Sequence, residues 1–294
     1  MTKVGLRTFV DPRIEGGRLN SRTTENLVEV ITLDGEEWLH YKPSPITVGI
    51  IRGTTADEDG NITMDEEIGT GEALSIASAA RAAGGIVIAQ VKNKSVRGTL
   101  DPKDVKIPGV LVDYIVQSDI ADHHMTWDHD FNPMLNGDLK VPIDSIPPMS
   151  LSNRKIIARR CAMELIPNAV VNLGIGMPEG VSSVAAEEHI DSMVLTTEAG
   201  TIGGVPAGGL SFGAATNAHA ILDQPYQFDF YDGGGVDLAI LGLAETDAHG
   251  NVNVSKFKGR VAGCGGFINI TQNSKKVIYC GTFTVGGLKQ HVED

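Results

Sequence analysis

The chain contains no run of lysine or arginine, and its formal charge is −13. Binding a nucleic-acid backbone relies on a basic face that releases counterions, so nucleic acid is excluded as a partner. No stretch approaches the roughly 20 apolar residues of a membrane span, and the opening MTKVGLRTFV has no apolar signal core. The expectation is a cytoplasmic protein with no membrane partner. Cysteine is scarce: Cys161, Cys264 and Cys280 are odd in number and lack zinc-ligand or CxxC spacing. Reduced, mostly buried thiols fit that pattern. Two tryptophans and five tyrosines stand against 35 glycines. That excess of glycine points to tight turns and close backbone approaches, as in α/β enzymes whose loops meet ligands.

With 294 residues, 41% of them hydrophobic, there is room for two modest domains, and an internal echo supports two. IRGTTADEDGNITM (Ile51 to Met64) resembles LGLAETDAHGNVNV (Leu241 to Val254). Asp57, Gly60 and Asn61 stand opposite Asp247, Gly250 and Asn251, each pair 190 residues apart. In each copy an apolar strand runs into an Asp-x-x-Gly-Asn turn, which is hairpin chemistry. GIVIAQV then echoes KVIYCGT, with Ile86 paired to Val277 at a spacing of 191. The second copy has a front section that periodicity marks as βαβ: a helix over 153–166, a strand at 169–173, a helix from Glu179 and a strand at 193–197. Subtracting 190 puts most of the first copy's equivalent before residue 1, and GVLVDYIV (Gly109 to Val116) maps beyond Asp294. The expectation is a chain cut at both ends, with its first domain incomplete. The Asp-, His- and Pro-rich segment between the copies, from about 117 to 152, reads as the interdomain connection.

One carboxylate attracts notice. Glu198, in TTEAGTIGGVPAGG, is a lone charge among glycine, alanine and threonine. Glycine lets backbone approach a ligand at the expense of chain entropy, so such a segment reads as a prepared site. NLGIGMPEG (Asn172 to Gly180) follows a strand and precedes a helix, offering amides to a negative oxygen. A Rossmann reading competes here, because Glu198 lies 24 residues after Gly174, near where a ribose-binding acid belongs. Pro178 stands where a phosphate-binding helix would open, and a ribose-binding acid needs no second glycine cradle. A further cluster, VAGCGGFINI, contains Gly263, Gly265 and Gly266, read either as amides turned toward a shared crevice or as a plain tight turn.

Bland readings accompany the sharp ones. His123, His124 and His129 sit among Asp122, Asp128 and Asp130 but lack fixed ligand spacing, so no metal is assigned. Cys264 reads as a small side chain in a turn rather than a nucleophile. Asn217 either orients the nucleophile or caps a helix. Lys256, Lys258 and Arg260 form a basic spot that either meets phosphates or is solvated surface.

Taken together, NLGIGMPEG, EAGTIGGVPAGGLSFGAATNA, QFDFYDGGGVDLAILG, GCGGFINITQ and KVIYCGTFT resemble the C-terminal domain of the family I coenzyme A transferases, in the branch acting on acetate and propionate. FVDPRIEGGRLN, GTTADEDGNIT and LDPKDVKIPGVLVDYIV resemble the rear of that family's N-terminal domain. The resemblance implies an α/β fold of two related, open, mainly parallel sheets with flanking helices, divided as 1–118, 119–150 and 151–294. It implies that Glu198 of EAG is the nucleophile, and that the oxyanion donors are amides near Ile175, Gly176 and Met177 and near Gly265 and Gly266. Gly174, Gly200, Gly203, Gly204, Asn217, Gly263 and Lys256 are then assigned to coenzyme A binding. Coenzyme A enters as substrate and covalent intermediate, with no permanent cofactor. Acyl-CoA and a short-chain carboxylate are the partners, together with a homo-oligomer or a separate N-terminal piece. Thioester hydrolysis on the same fold and an inactive or assembly-only fragment remain as alternatives, with a nicotinamide oxidoreductase a distant third.

Overall fold

A computed structural model describes residues 1–18, 20–257 and 259–282. The chain opens with a hairpin, β1 (Val28–Leu33) against β2 (Glu36–Tyr41), stapled to the N-terminus by a bridge between Thr2 and Leu39. This hairpin stands outside the first large sheet. The opening segment leans on the far end of the chain instead: Gly5 N donates to Gln272 Oε1 at 2.6 Å, and Gln272 Nε2 donates to Lys3 O at 2.9 Å.

The first large sheet is built from β3 (Val48–Ala56), β4 (Ile62–Thr63), β5 (Ile86–Lys94), β6 (Val105–Ile107) and β7 (Tyr114–Gln117), in the order β6-β4-β3-β5-β7. β3, β5 and β7 are parallel, and α1 (Ala73–Ala82) makes the crossover from β3 to β5. Gly49 lets the helix come close, since a Cβ there would stand 3.2 Å from Ala80 Cβ.

The second sheet has the order β13-β10-β9-β8-β14-β19. Its parallel centre consists of β8 (Val170–Leu173), β9 (Val194–Thr196), β14 (Leu238–Leu241) and β19 (Lys276–Tyr279). β10 (Thr201–Ile202) and β13 (Ala220–Ile221) extend one edge antiparallel, with the small pair β11 (Val205–Pro206) and β12 (Ala215–Thr216) between them in sequence. α2 (Asn153–Ala162) and α3 (Gly180–Glu187) cover one face, and α4 (Gln224–Asp232) and α5 (Phe267–Gln272) the other. Hairpins β15 (Glu245–Thr246) with β16 (Val252–Asn253), and β17 (Lys256–Phe257) with β18 (Arg260–Val261), lie between β14 and α5. This is the expected α/β architecture. The expected 153–166 helix ends early at Ala162, because Pro167 disfavours helical backbone at Ile166 and the chain turns before it.

The internal echo is a real structural repeat. In both turns the leading aspartate binds two backbone amides: Asp59 and Asn61 N donate to Asp57 Oδ1, and His249 and Asn251 N donate to Asp247 Oδ1, all within 2.9–3.0 Å. Gly60 and Gly250 take φ of +83° and +82°. The sheet register corrects one pairing. Val48 lies opposite Ile86 and Leu238 opposite Lys276, so Val87 rather than Ile86 corresponds to Val277, and the spacing stays at 190.

The repeat also permits a like-for-like comparison of burial. Leu238 and Ile240 are 0% exposed beneath α2 and α3, whereas their counterparts Val48 and Ile50 are 46% and 72% exposed. Ile86, Tyr114 and Val116 extend this apolar face across β5 and β7. Among the described residues no helix layer covers it, and a parallel sheet ordinarily buries both faces. Opposite faces of β3 should therefore respond differently to truncation. Ile51→Ala, at a position 5% exposed against α1, is expected to cost about 2–4 kcal/mol, and Ile50→Ala less than about 1 kcal/mol, by denaturant unfolding.

Candidate active site

β8 and β9 run parallel with Asn172 opposite Thr196, so both strands deliver their following loops to one end of the sheet. Ligands bind at that end in open α/β sheets. Glu198 occupies the tip of the turn from β9 to β10. Thr197 N donates to Thr201 O at 3.0 Å, and Gly200, at φ +110°, closes the turn on Thr197 O. The Thr197 hydroxyl donates to Gly213 O at 2.9 Å and receives the Thr201 hydroxyl at 2.5 Å, which ties the turn to the glycine-rich return.

Glu198 is half-buried. Burial raises its carboxyl above the ordinary value of 4.5, while the Gly266 backbone N–H, directed at the carboxylate, works in the opposite sense. A Cβ at Gly266 would overlap Glu198 Oε2 and stand 2.9 Å from Phe228 Cζ, so glycine is required for this approach. Phe228 stacks edge-on against Tyr231 at 5.9 Å and supplies the dry wall.

Beneath the turn lies a buried polar chain. Asn172 Nδ2 and Gln227 Nε2 donate to the Tyr231 hydroxyl at 3.1 and 2.8 Å; that hydroxyl donates to Thr196 Oγ1 at 2.9 Å, and Thr196 to Val171 O at 3.2 Å. Tyr231 is pushed above its usual value by burial, with the nearby Glu198 charge adding to the effect. Phe228, Tyr231, Gln227 and Thr196 escaped the sequence reading. QFDFYD entered only as part of a motif that carries the family resemblance, and nothing in its spacing marks which residues face Glu198.

The remaining assigned residues fall into groups. Gly265 (φ +52°) and Gly263 (φ +84°) share the loop that brings Gly266 to Glu198, with open space where a Cβ would point. Gly200 lies in the turn itself, and Gly203 and Gly204 in the next one, between β10 and β11: a Cβ would overlap Leu222 O, the His219 ring and Thr216 O respectively. Gly174 packs strands, its amide on Ile240 O at 2.9 Å and a Cβ there 2.8 Å from Leu241 Cδ2. The other turn differs from expectation. Gly176 N donates to Glu179 Oε1 at 2.7 Å and its carbonyl accepts from Arg154, so that amide already has a partner; Ile175 is exposed and Met177 packs on the core. Lys256 pairs with Glu15 at 2.7 Å, and Lys258 lies outside the described residues. Asn217, at φ +60°, caps no helix; it clasps Val141 through both backbone groups, at 2.7 and 2.9 Å. The three histidines diverge: His123 faces Glu67, His124 faces Asp130, and His129 donates its backbone amide to Thr126 Oγ1. Among the described residues no cluster of three metal-ligating side chains forms, and no helix is long and apolar enough to cross a membrane. Cys161 and Cys280 are buried free thiols, and Cys264 is half-buried.

Comparison with known proteins adds a frame to this geometry. Residues 1–118 match the family model described as Coenzyme A transferase. The chain is 50% identical over 292 residues to the caffeate CoA-transferase of Acetobacterium woodii, covering 96% of this chain and 55% of that protein. It is 43% identical over 295 residues to the acetate CoA-transferase YdiF of Escherichia coli O157:H7, covering 100% and 55%. The crystal structure of the YdiF apoenzyme superimposes with a TM-score of 0.89 at 42% identity, and the thioester complex of YdiF with CoA with a TM-score of 0.88, each covering 100% of this chain and 55% of that one. The chain thus spans about half the length of the curated relatives it matches.

The burial of Glu198 has a thermodynamic signature. Its folded-state value lies above that of the unfolded chain, so ionisation opposes folding above both values and has no effect below both. Glu198→Gln is expected to be more stable than the wild type at pH 7, with the difference fading as pH falls from the raised value through about 4.5, measured by chemical denaturation across pH.

Proposed function

This chain belongs to the coenzyme A transferase family, and on that premise we propose that it transfers coenzyme A between carboxylic acids, with Glu198 as the covalent relay. The observation that carries the reading is a solitary, desolvated carboxylate held against a backbone amide at the carboxyl end of a parallel sheet. A partly dehydrated carboxylate is a stronger nucleophile than a solvated one.

In the first step a Glu198 oxygen attacks the acyl-CoA carbonyl, the C–S bond breaks, and CoA leaves as thiolate, giving an acyl-glutamyl anhydride. The thiolate then attacks the glutamyl carbonyl and the first acid leaves as carboxylate, so Glu198 carries CoA as a thioester. An acceptor carboxylate runs both steps in reverse and departs as the new acyl-CoA. The scheme needs CoA as substrate and calls on no permanently bound cofactor. Each step passes through an oxyanion, and a preorganised amide such as that of Gly266, with Gly265 beside it, is worth on the order of 3 kcal/mol there. The wall formed by Phe228 and the small residues of the cradle keep water from the anhydride and the thioester, both of which water destroys.

Short-chain acids are the substrate class we assign, and acetate is the acceptor to try first, as the name of the YdiF relative encourages. The uncovered face of β3, β5 and β7 supports a partner layer, either a homo-oligomer or a separate N-terminal piece that adds CoA contacts.

Intact-mass analysis after mixing with acetyl-CoA is expected to show the chain carrying one CoA thioester lost on hydroxylamine treatment, with no adduct on Glu198→Gln. Steady-state rates should follow ping-pong dependence on acyl-CoA and acid. An adduct retained by the Gln variant would remove Glu198 from the mechanism.

A further inference from the structure

The transfer chemistry leaves one buried ionic cluster unused. Glu67, 8% exposed, faces His123 and Arg52: Oε1 lies 3.1 Å from His123 Nε2, and Oε2 lies 3.0 Å from Arg52 Nε. His123 is itself only 3% exposed. Its tautomer is set by its neighbours. Gln90 Nε2 donates to Asp122 O at 2.9 Å, which fixes the amide, and the same nitrogen stands 3.2 Å from His123 Nδ1. Nδ1 therefore accepts, and Nε2–H is left to donate to Glu67. The cluster joins β3 and β5 of the first sheet to the connecting segment.

The four residues after Glu67 make the cluster relevant to catalysis. Ile68 packs among Met125, Leu135, Ala207 and Ala214. Gly69 rests on the nucleophile turn, where an added Cβ would stand 3.4 Å from Ala199 O and 3.6 Å from Ile221 Cγ2. The Thr70 hydroxyl bonds the Asp223 carboxylate, and Gly71 O accepts from Gln224 N at 3.0 Å. This loop of the first domain thus lies along the second domain's catalytic segment, with one residue against the neighbour of Glu198. A loop tip with this many glycines has little stiffness of its own. Both of its ends are held by contacts, one through Glu67 and the other at Asp223 and Gln224.

We propose that Glu67 is a positioning residue: through His123 and Arg52 it anchors the 68–71 strap that backs the Ala199 peptide, and so holds Glu198 opposite the Gly266 amide. The proposal rests on reading Glu198 as the nucleophile. A buried cluster that merely glued the domains together would contribute stability and leave the geometry of the turn unchanged.

The experiment compares wild type, Glu67→Ala, Glu67→Gln and Thr70→Val in the full chain. Two measurements are made: hydrogen exchange of the backbone over residues 196–204, and the single-turnover rate of CoA-adduct formation at saturating acetyl-CoA, scaled to the folded fraction. Gln keeps an acceptor for His123 Nε2–H and tests the hydrogen bond apart from the charge. Thr70→Val loosens the other mooring without touching the cluster, and keeps the test open should Glu67→Ala not fold. Glu67→Ala and Thr70→Val are expected to speed exchange at 196–204 and to slow adduct formation about tenfold with little change in the acetyl-CoA concentration for half-maximal rate, and Gln to restore most of the loss. Wild-type exchange over 196–204 in both loosened variants would overturn the proposal, as would adduct rates within about twofold of wild type. Absence of any adduct on the wild type would instead count against the transferase reading, and the exchange measurement would still judge the strap.

Discussion

The turn that carries Glu198 sets the desolvation of a carboxylate against a backbone amide that favours its charged form. Burial raises the energy of the Glu198 charge, and among the described residues the Gly266 amide offsets it. A solvated carboxylate would react too weakly with a thioester, and a fully buried one would hold its proton. Glycine at 266 brings the amide to the carboxylate, and the hydrogen-bonded chain from Asn172 through Tyr231 to Thr196 fixes the strand end two residues upstream.

That arrangement needs support from outside the second sheet. The turn is short and placed at a strand end. Its backing comes from the first domain through the 68–71 strap, and from the connection, where Thr126 meets Ser211 at 3.0 Å and Asn217 clasps Val141. The two repeats therefore meet at this turn: one carries Glu198, and the other lays the 68–71 loop against the neighbouring Ala199. The same duplication brings out the bare face of the first sheet: among the described residues no helix covers Val48 and Ile50, whose counterparts lie beneath α2 and α3 in the second copy.

A good deal of this was legible in the residues themselves. The Asp-x-x-Gly-Asn turns could be read because their hydrogen bonds are local, and the same aspartate-to-amide contacts appear 190 residues apart. Glu198 stood out because a single charge in a glycine cradle has few structural explanations. The glycines were harder to apportion. Gly174, Gly176 and Gly266 look alike as letters, yet one packs strands, one gives its amide to Glu179, and one approaches the carboxylate. Only the partner across space separates them. Lys256 illustrates the same limit, because its partner Glu15 lies 241 residues away.

Sequence alone determined the α/β class and the duplicated architecture, and singled out Glu198 as the candidate reactive carboxylate, because each is written in short-range patterns: apolar strand periods, turn residues at fixed offsets, and one acid among small residues. Tertiary structure decided which amide faces that acid, which aromatic wall dries it, and which loop of the other repeat backs it. Those contacts join residues remote in the chain, and whether two such groups meet is set by how the sheets and helices pack rather than by any local preference of the residues themselves.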